Sequence, residues 1–130
     1  MLDTNICIYI LNKRPIHVIQ KLEELQDAKV LLSSIVVCEL QYGIEKSQTP
    51  EKNRLRLQNF LIDFMLEPPS VEAGIQAGII RSTLEKLGKP IGNYDYLIAA
   101  HALELGATLV TNNIKEFQRV EGLRLENWFA

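Results

Sequence analysis

Histidine and cysteine are scarce in this chain of 130 residues, with two of each. His17 and His101 lie far apart, and neither stands at metal-ligand spacing from Cys7 or Cys38, which argues against a zinc site. Two cysteines inside apolar runs are too few for a disulfide scaffold and read as small buried side chains in a reducing compartment. No apolar run approaches the length of a membrane span, and the start MLDTN lacks the regions of a signal peptide. A basic excess is missing as well. Fourteen Lys and Arg face 16 Asp and Glu, for a formal net charge of −2, so a polyanionic partner would have to be held by a local basic patch or by metal ions. There is no nucleophile elbow, Walker loop or dinucleotide-binding glycine pattern. The sole tryptophan, Trp128, reads as a packing anchor. What remains is a cytoplasmic chain, 47% hydrophobic, with enough apolar residues for the core of a single domain over 1–130.

Periodicity and punctuation divide that domain. Asp3-Thr4-Asn5 are capping residues ahead of a short helix over 6–12. Only Met1 and Leu2 precede Asp3, so a first strand there is unusually brief, or the chain given begins late. Pro15 opens a helix over 16–27, and residues 29–33 are apolar enough for a buried strand. Ser33 or Ser34 then caps a helix reaching about Lys46. Thr49-Pro50 starts a helix whose Leu55, Leu57, Phe60, Leu61 and Phe64 form one apolar stripe. Residues 65–67 suit an edge strand. Ser70 caps a helix closed by Gly88, and Asn93 to Ala107 is a helix closed by Gly106. Strands follow at 108–111 and 122–128, separated by a turn or one-turn helix at 112–117. Strands alternating with helices predict an α/β fold, a three-layer α/β/α sandwich on a parallel sheet of four or five strands.

In such sheets ligands bind beyond the carboxyl ends of the strands, and the acids fall there. Asp3 follows the first strand, Glu39 lies a turn into the helix after the second, and Asp95 is in the first turn of its helix. Asn113 and Glu116 follow the fourth strand. Each acid has an ordinary explanation alone: Asp3 as a cap, Asp95 as a charge at a helix N-terminus, Glu116 as surface charge beside Lys115. Glu39 interrupts an apolar run on a helix expected to be largely buried, where unpaired acids are rare. Together they form the oxygen cluster that Mg²⁺ or Mn²⁺ requires, since clustered carboxylates without a cation repel one another. His101 more readily packs than catalyses. Lys46, Arg81 and Lys89 are candidate phosphate contacts, each also explicable as a solvated charge.

The segments LDTNICIYIL, SSIVVCELQYGIEKS, GKPIGNYDYLIAAHALELGATLVTNNIKEF and GLRLENW together resemble the PIN-domain family, and within it the VapC-like toxins of type II toxin–antitoxin pairs. The resemblance runs nearly the length of the chain and is weakest over 13–30 and 51–69. It implies a metal-dependent ribonuclease that forms a homodimer and is held inactive by a cognate antitoxin, whose C-terminal segment covers the site. The enteric members imply tRNA as the RNA substrate. The family's acids map onto Asp3, Glu39 and Asp95, which with Glu116 would hold Mg²⁺ or Mn²⁺. Asn113 stands where the broader family often has aspartate, leaving Glu116 as the fourth acid. Thr4, Asn5, Ser34 and Thr111 match positions that orient the acids by hydrogen bonds, and Asn113 supports them. A catalytically idle partner-binding module and a metal-dependent DNA nuclease are the competing readings, separated from the first by a metal titration with a nuclease assay.

Overall fold

The N-terminal run builds its first helix by the rule that an aspartate preceding a helix satisfies the orphan amides of the first turn. In the computed structural model, which describes residues 1–25 and 29–129, Asp3 is the N-cap of α1 (Thr4–Leu11) and its Oδ1 accepts from Ile6 N–H at 2.9 Å. This cap is worth about 1 kcal/mol. Helix α2 (Ile16–Glu23) begins after Pro15 as expected; Gln26 and Asp27 of the expected helix lie outside the described residues. Strand β1 (Leu31–Ser33) leads into α3 (Ser34–Glu45), where Ser33 rather than Ser34 supplies the cap, accepting from Ile35 N–H at 3.1 Å. Next come α4 (Pro50–Leu61), β2 (Met65–Glu67), α5 (Val71–Lys86), α6 (Asn93–Leu105), β3 (Leu109–Val110), α7 (Ile114–Phe117) and β4 (Leu125–Glu126). Ser70 caps α5 through Ala73 N–H. Gly106 closes α6 at φ +62°, where a Cβ would strain the backbone.

All described strand pairing is parallel, as the alternation of elements predicted, but the ladders are short. They form two two-stranded sheets, β1–β2 and β3–β4, not one sheet of four or five strands. Met1 to Asp3 stand between them. Leu2 N–H bonds Leu31 O at 3.1 Å, Asp3 N–H bonds Val110 O at 3.0 Å, and Leu2 and Val110 form an isolated parallel bridge. The expected strands over 29–33, 108–111 and 122–128 contract to two or three paired residues, because each turns into a helix cap or loop as soon as it leaves the core.

That core gathers Leu2, Ile6, Val18, Leu32, Val36, Ile98, Leu109 and Phe117, each almost fully buried. Phe117 matters most for function. A four-residue helix cannot persist on its own hydrogen bonds, and burial of this ring, about 1.5–3 kcal/mol, holds α7 against the rest of the molecule. Two expectations fail here. Leu55 is exposed although Leu57 is buried, since residues two apart on a helix point about 200° apart and cannot share a stripe. Cys38 is exposed while Cys7 is buried, because α3 buries only the stripe carrying Val36 and Leu40. Burial, with the Asp3 charge next in weight, pushes the Cys7 thiol upward, which leaves it inert. Trp128 is buried and donates to Glu126 Oε1 at 2.9 Å, an anchor as expected. His101 is buried in α6 with Nδ1 unpartnered, and burial lowers its pKa so that it packs as a neutral ring.

Candidate functional site

Four acids reach one region from four separate elements. Asp3 arrives at the end of the Leu2 bridge, Glu39 on the second turn of α3, Asp95 on the first turn of α6 and Glu116 on α7. Asp3 is nearly inaccessible, and both of its oxygens are engaged: Oδ1 by the Ile6 amide, Oδ2 by Thr111 Oγ1 donating at 2.5 Å. Thr111 also accepts from Asn113 N–H at 2.8 Å, so the end of β3 and the start of α7 are tied to the α1 cap through one hydroxyl. Thr4 Oγ1 donates to Glu39 Oε1 at 2.7 Å. Asp3 is therefore a cap and a member of the cluster at once. Glu39 is half-buried with a partner, on a helix less buried than its sequence suggested.

The electrostatics record the proximity. Asp95 is pushed up to about 6, first by burial, then by the charges of Glu39, Asp3 and Glu116 in that order. Asp3 is raised by burial, against the Thr111 and Ile6 hydrogen bonds, with Glu39 adding to the rise. No ion pair relieves either: the salt bridges among the described residues join Lys21 to Glu24, Arg54 to Glu45 and Arg81 to Glu85. Among the described residues no three Asp, Glu, His or Cys side chains are disposed to chelate an ion as they stand. The donor set nonetheless fits a hard divalent cation in two respects. Every available donor is oxygen, and four acids without a counter-cation repel, which adds to the effect of burial in raising Asp95.

Of the predicted supporting residues, Thr4 and Thr111 hold acids through their side chains. Asn5 contributes through its backbone amide toward Asp3, Asn113 through its amide to Thr111, and Ser34 is exposed beside the true cap. The three candidate phosphate contacts do not come together. Lys46 Nζ stands over the Tyr42 ring, 4.3 Å from its centroid, Arg81 pairs with Glu85 at 3.3 Å, and Lys89 lines a separate depression with Lys115 and Arg119.

Sequence reading missed Gly92. It is the N-cap of α6, and a Cβ there would stand 2.9 Å from Asp95 Oδ2 and 3.5 Å from its Cγ. Its φ of −61° suits alanine, so the only obstacle is the carboxylate, a freely rotating group. Gly92→Ala is therefore expected to keep the fold, at a cost below about 1 kcal/mol, while turning the Asp95 carboxylate outward. The Asp95 midpoint, followed by carboxyl-carbon NMR, should fall from about 6 toward the ordinary aspartate range; an unchanged midpoint would show that the glycine leaves the carboxylate alone. The spacing of a glycine three residues before an acid at a helix start was the available signal.

Comparison with known proteins adds independent findings. A family model described as PIN domain matches residues 1–123. The ribonuclease VapC2 of Rickettsia felis is 48% identical over 129 residues, covering 98% of this chain and 96% of the relative. The tRNA(fMet)-specific endonuclease VapC of Salmonella typhimurium is 40% identical over 128 residues, with the same coverage. In structure, the chain is similar to VapBC2 from Rickettsia felis bound to a DNA fragment from their promoter, with a TM-score of 0.92, 47% identity, and coverage of 98% of this chain and 97% of that one.

Proposed function

The chain belongs to the PIN-domain family, and from that premise we propose that it is an endoribonuclease, the toxin of a toxin–antitoxin pair, hydrolysing RNA phosphodiester bonds in the cytoplasm. The observation that carries this reading is the meeting of Asp3, Glu39, Asp95 and Glu116, drawn from four elements, in a chain similar to a named ribonuclease and a named tRNA endonuclease. Those relatives make tRNA the first substrate to try.

Asp3, Glu39, Asp95 and Glu116 would hold Mg²⁺ or Mn²⁺. A bound ion of this kind supplies charge stabilisation to the attacking and leaving oxygens of a phosphodiester. Thr111 and Thr4 fix the rotamers of Asp3 and Glu39, so two of the carboxylates are oriented before substrate arrives. Asn113 contributes its amide to that scaffold, not a charge. Hence Glu116→Gln should lower RNA cleavage at saturating Mg²⁺ by about tenfold or more, and Asn113→Ala by less. Side-by-side rates on a tRNA substrate test both the activity and this assignment, and the reverse order would move the fourth role to Asn113.

The same reading covers the rest of the architecture and two partners. Residues 1–3 join the two strand pairs into one parallel layer with helices on both sides, the α/β/α arrangement, as one domain. The similarity to VapBC2 supports an antitoxin partner, and the apolar groove between α1, α3 and α4, lined by Ile8, Leu11, Leu40, Ile44 and Leu57 and bordered by Glu39, is the surface we assign to its segment. A second copy covers α5, whose Val71, Ile75 and Ile79, at a spacing of four, are 81%, 51% and 54% exposed, an apolar stripe that a lone chain would leave wet. The double change Ile75→Glu with Ile79→Glu should give a monomer by light scattering, with the melting temperature of the fold preserved. A dimer that persists would place the interface elsewhere.

A further inference from the structure

Beyond the acid cluster, α7 carries a second feature. The end of α5, the loop after it and α7 enclose a depression of about 380 Å³ lined by Leu84, Leu87, Lys89, Lys115, Gln118 and Arg119. Its lining holds three cationic side chains and no carboxylate, in a chain whose net charge is −2. None of the three joins the salt bridges found among the described residues. Arg119 is held in place by donating from Nη1 to Pro90 O at 2.8 Å. Pro90 lies in the loop that runs from Lys89 to Gly92, the cap beneath Asp95, so one loop borders both the depression and the acids. Along the chain the separation is as small: Arg119 stands in the turn two residues past the end of α7, and its N–H bonds Glu116 O at 3.1 Å.

We propose that this depression is a phosphate-binding subsite for the RNA strand, holding backbone phosphates beside the one at the acid cluster through Lys89, Lys115 and Arg119. It rests on the ribonuclease reading and adds where the strand runs. Four carboxylates repel a polyanion, so affinity has to come from cations placed just outside them. Ammonium and guanidinium groups meet that need, the guanidinium with paired donors matched to phosphate oxygens. Contacts of this kind fix the register of the strand without reading its sequence. Exposed Leu87 at the rim offers apolar surface to a sugar or base.

The test is binding of a labelled single-stranded RNA to the full chain in EDTA, where cleavage is absent, between 50 and 200 mM salt. Lys89→Gln with Lys115→Gln should reduce the slope of log affinity against log salt by about 1.4, two phosphate contacts at about 0.7 each for single strands. That is about sevenfold less weakening across the range. Lys21→Gln with Lys52→Gln, which removes the same charge from exposed positions on α2 and α4, should leave the slope near wild type. Equal slopes for both double variants, or preference for duplex DNA over RNA, would overturn the subsite while the wild type still cleaves RNA. A wild type that cleaves no RNA with Mg²⁺ would sink the ribonuclease reading, and this proposal with it.

Discussion

Asp95→Asn is expected to reduce RNA cleavage to below about 1% of wild type, in line with the 10²–10³-fold losses that follow removal of one charge-stabilising group, without unfolding the metal-free protein. Asp95 has no ion-pair partner among the described residues, so neutralising it strands no buried cation, the event that costs about 3–5 kcal/mol in a true buried pair. Asparagine keeps the shape and a polar first turn. What it removes is repulsion from Glu39, Asp3 and Glu116, so the apo melting temperature should hold or rise by a few degrees. A pH dependence follows. An acid with a folded midpoint near 6 and an unfolded one near 3.9 takes up a proton on folding between those values. Its contribution to stability is full below the unfolded midpoint and is lost as pH rises through the folded one. Apo wild type should thus gain stability on going from pH 7.5 to 5 from this residue, and Asp95→Asn should show a smaller gain. Thermal melts at both pH values, with a cleavage assay, decide the matter. A variant melting well below wild type, or cutting RNA normally, would make Asp95 structural.

Chelation should have an effect of similar size. With every assigned donor an oxygen, EDTA is expected to bring cleavage to background, and Mg²⁺ or Mn²⁺ to restore it. The readout need not be catalytic. An ion that binds only the folded chain stabilises it by about 2.7 kcal/mol at 100 times its Kd, on the order of 10 °C for a chain of this length. Asp95→Asn should shrink that rise. Full cleavage in chelator would exclude the metal mechanism, whatever the melts show.

These residues were legible for different reasons. Asp3 and Ser70 announced themselves as caps, and Gly88 and Gly106 as helix ends, because capping is decided within four or five residues. The acids could be placed at one edge because parallel topology sends every strand end the same way. Three-dimensional neighbourhood was harder. Leu55 sits on the wrong side of α4 by helical arithmetic that a looser reading of the stripe overlooked, and Cys38 is exposed because α3 packs along one stripe only. Lys115 and Arg119 line one depression with Lys89, and the bond from Arg119 to the Pro90 carbonyl that ties the two loops there is one no periodicity encodes. Strand lengths were overestimated, since apolar runs mark burial and not ladder hydrogen bonds.

The double engagement of Asp3, capping α1 while Thr111 holds its other oxygen, has a genetic consequence under the toxin function proposed above. Cells selected for survival of its expression should yield two kinds of escape allele. Changes at Asp95 would leave an abundant, inert protein that still occupies antitoxin and so liberates active copies made by an intact allele. Changes at Asp3 to residues without a capping oxygen lose about 1 kcal/mol from the helix along with the charge, and would be recovered at lower abundance, too scarce to compete. The two positions serve the same cluster, yet their alleles should differ in dominance.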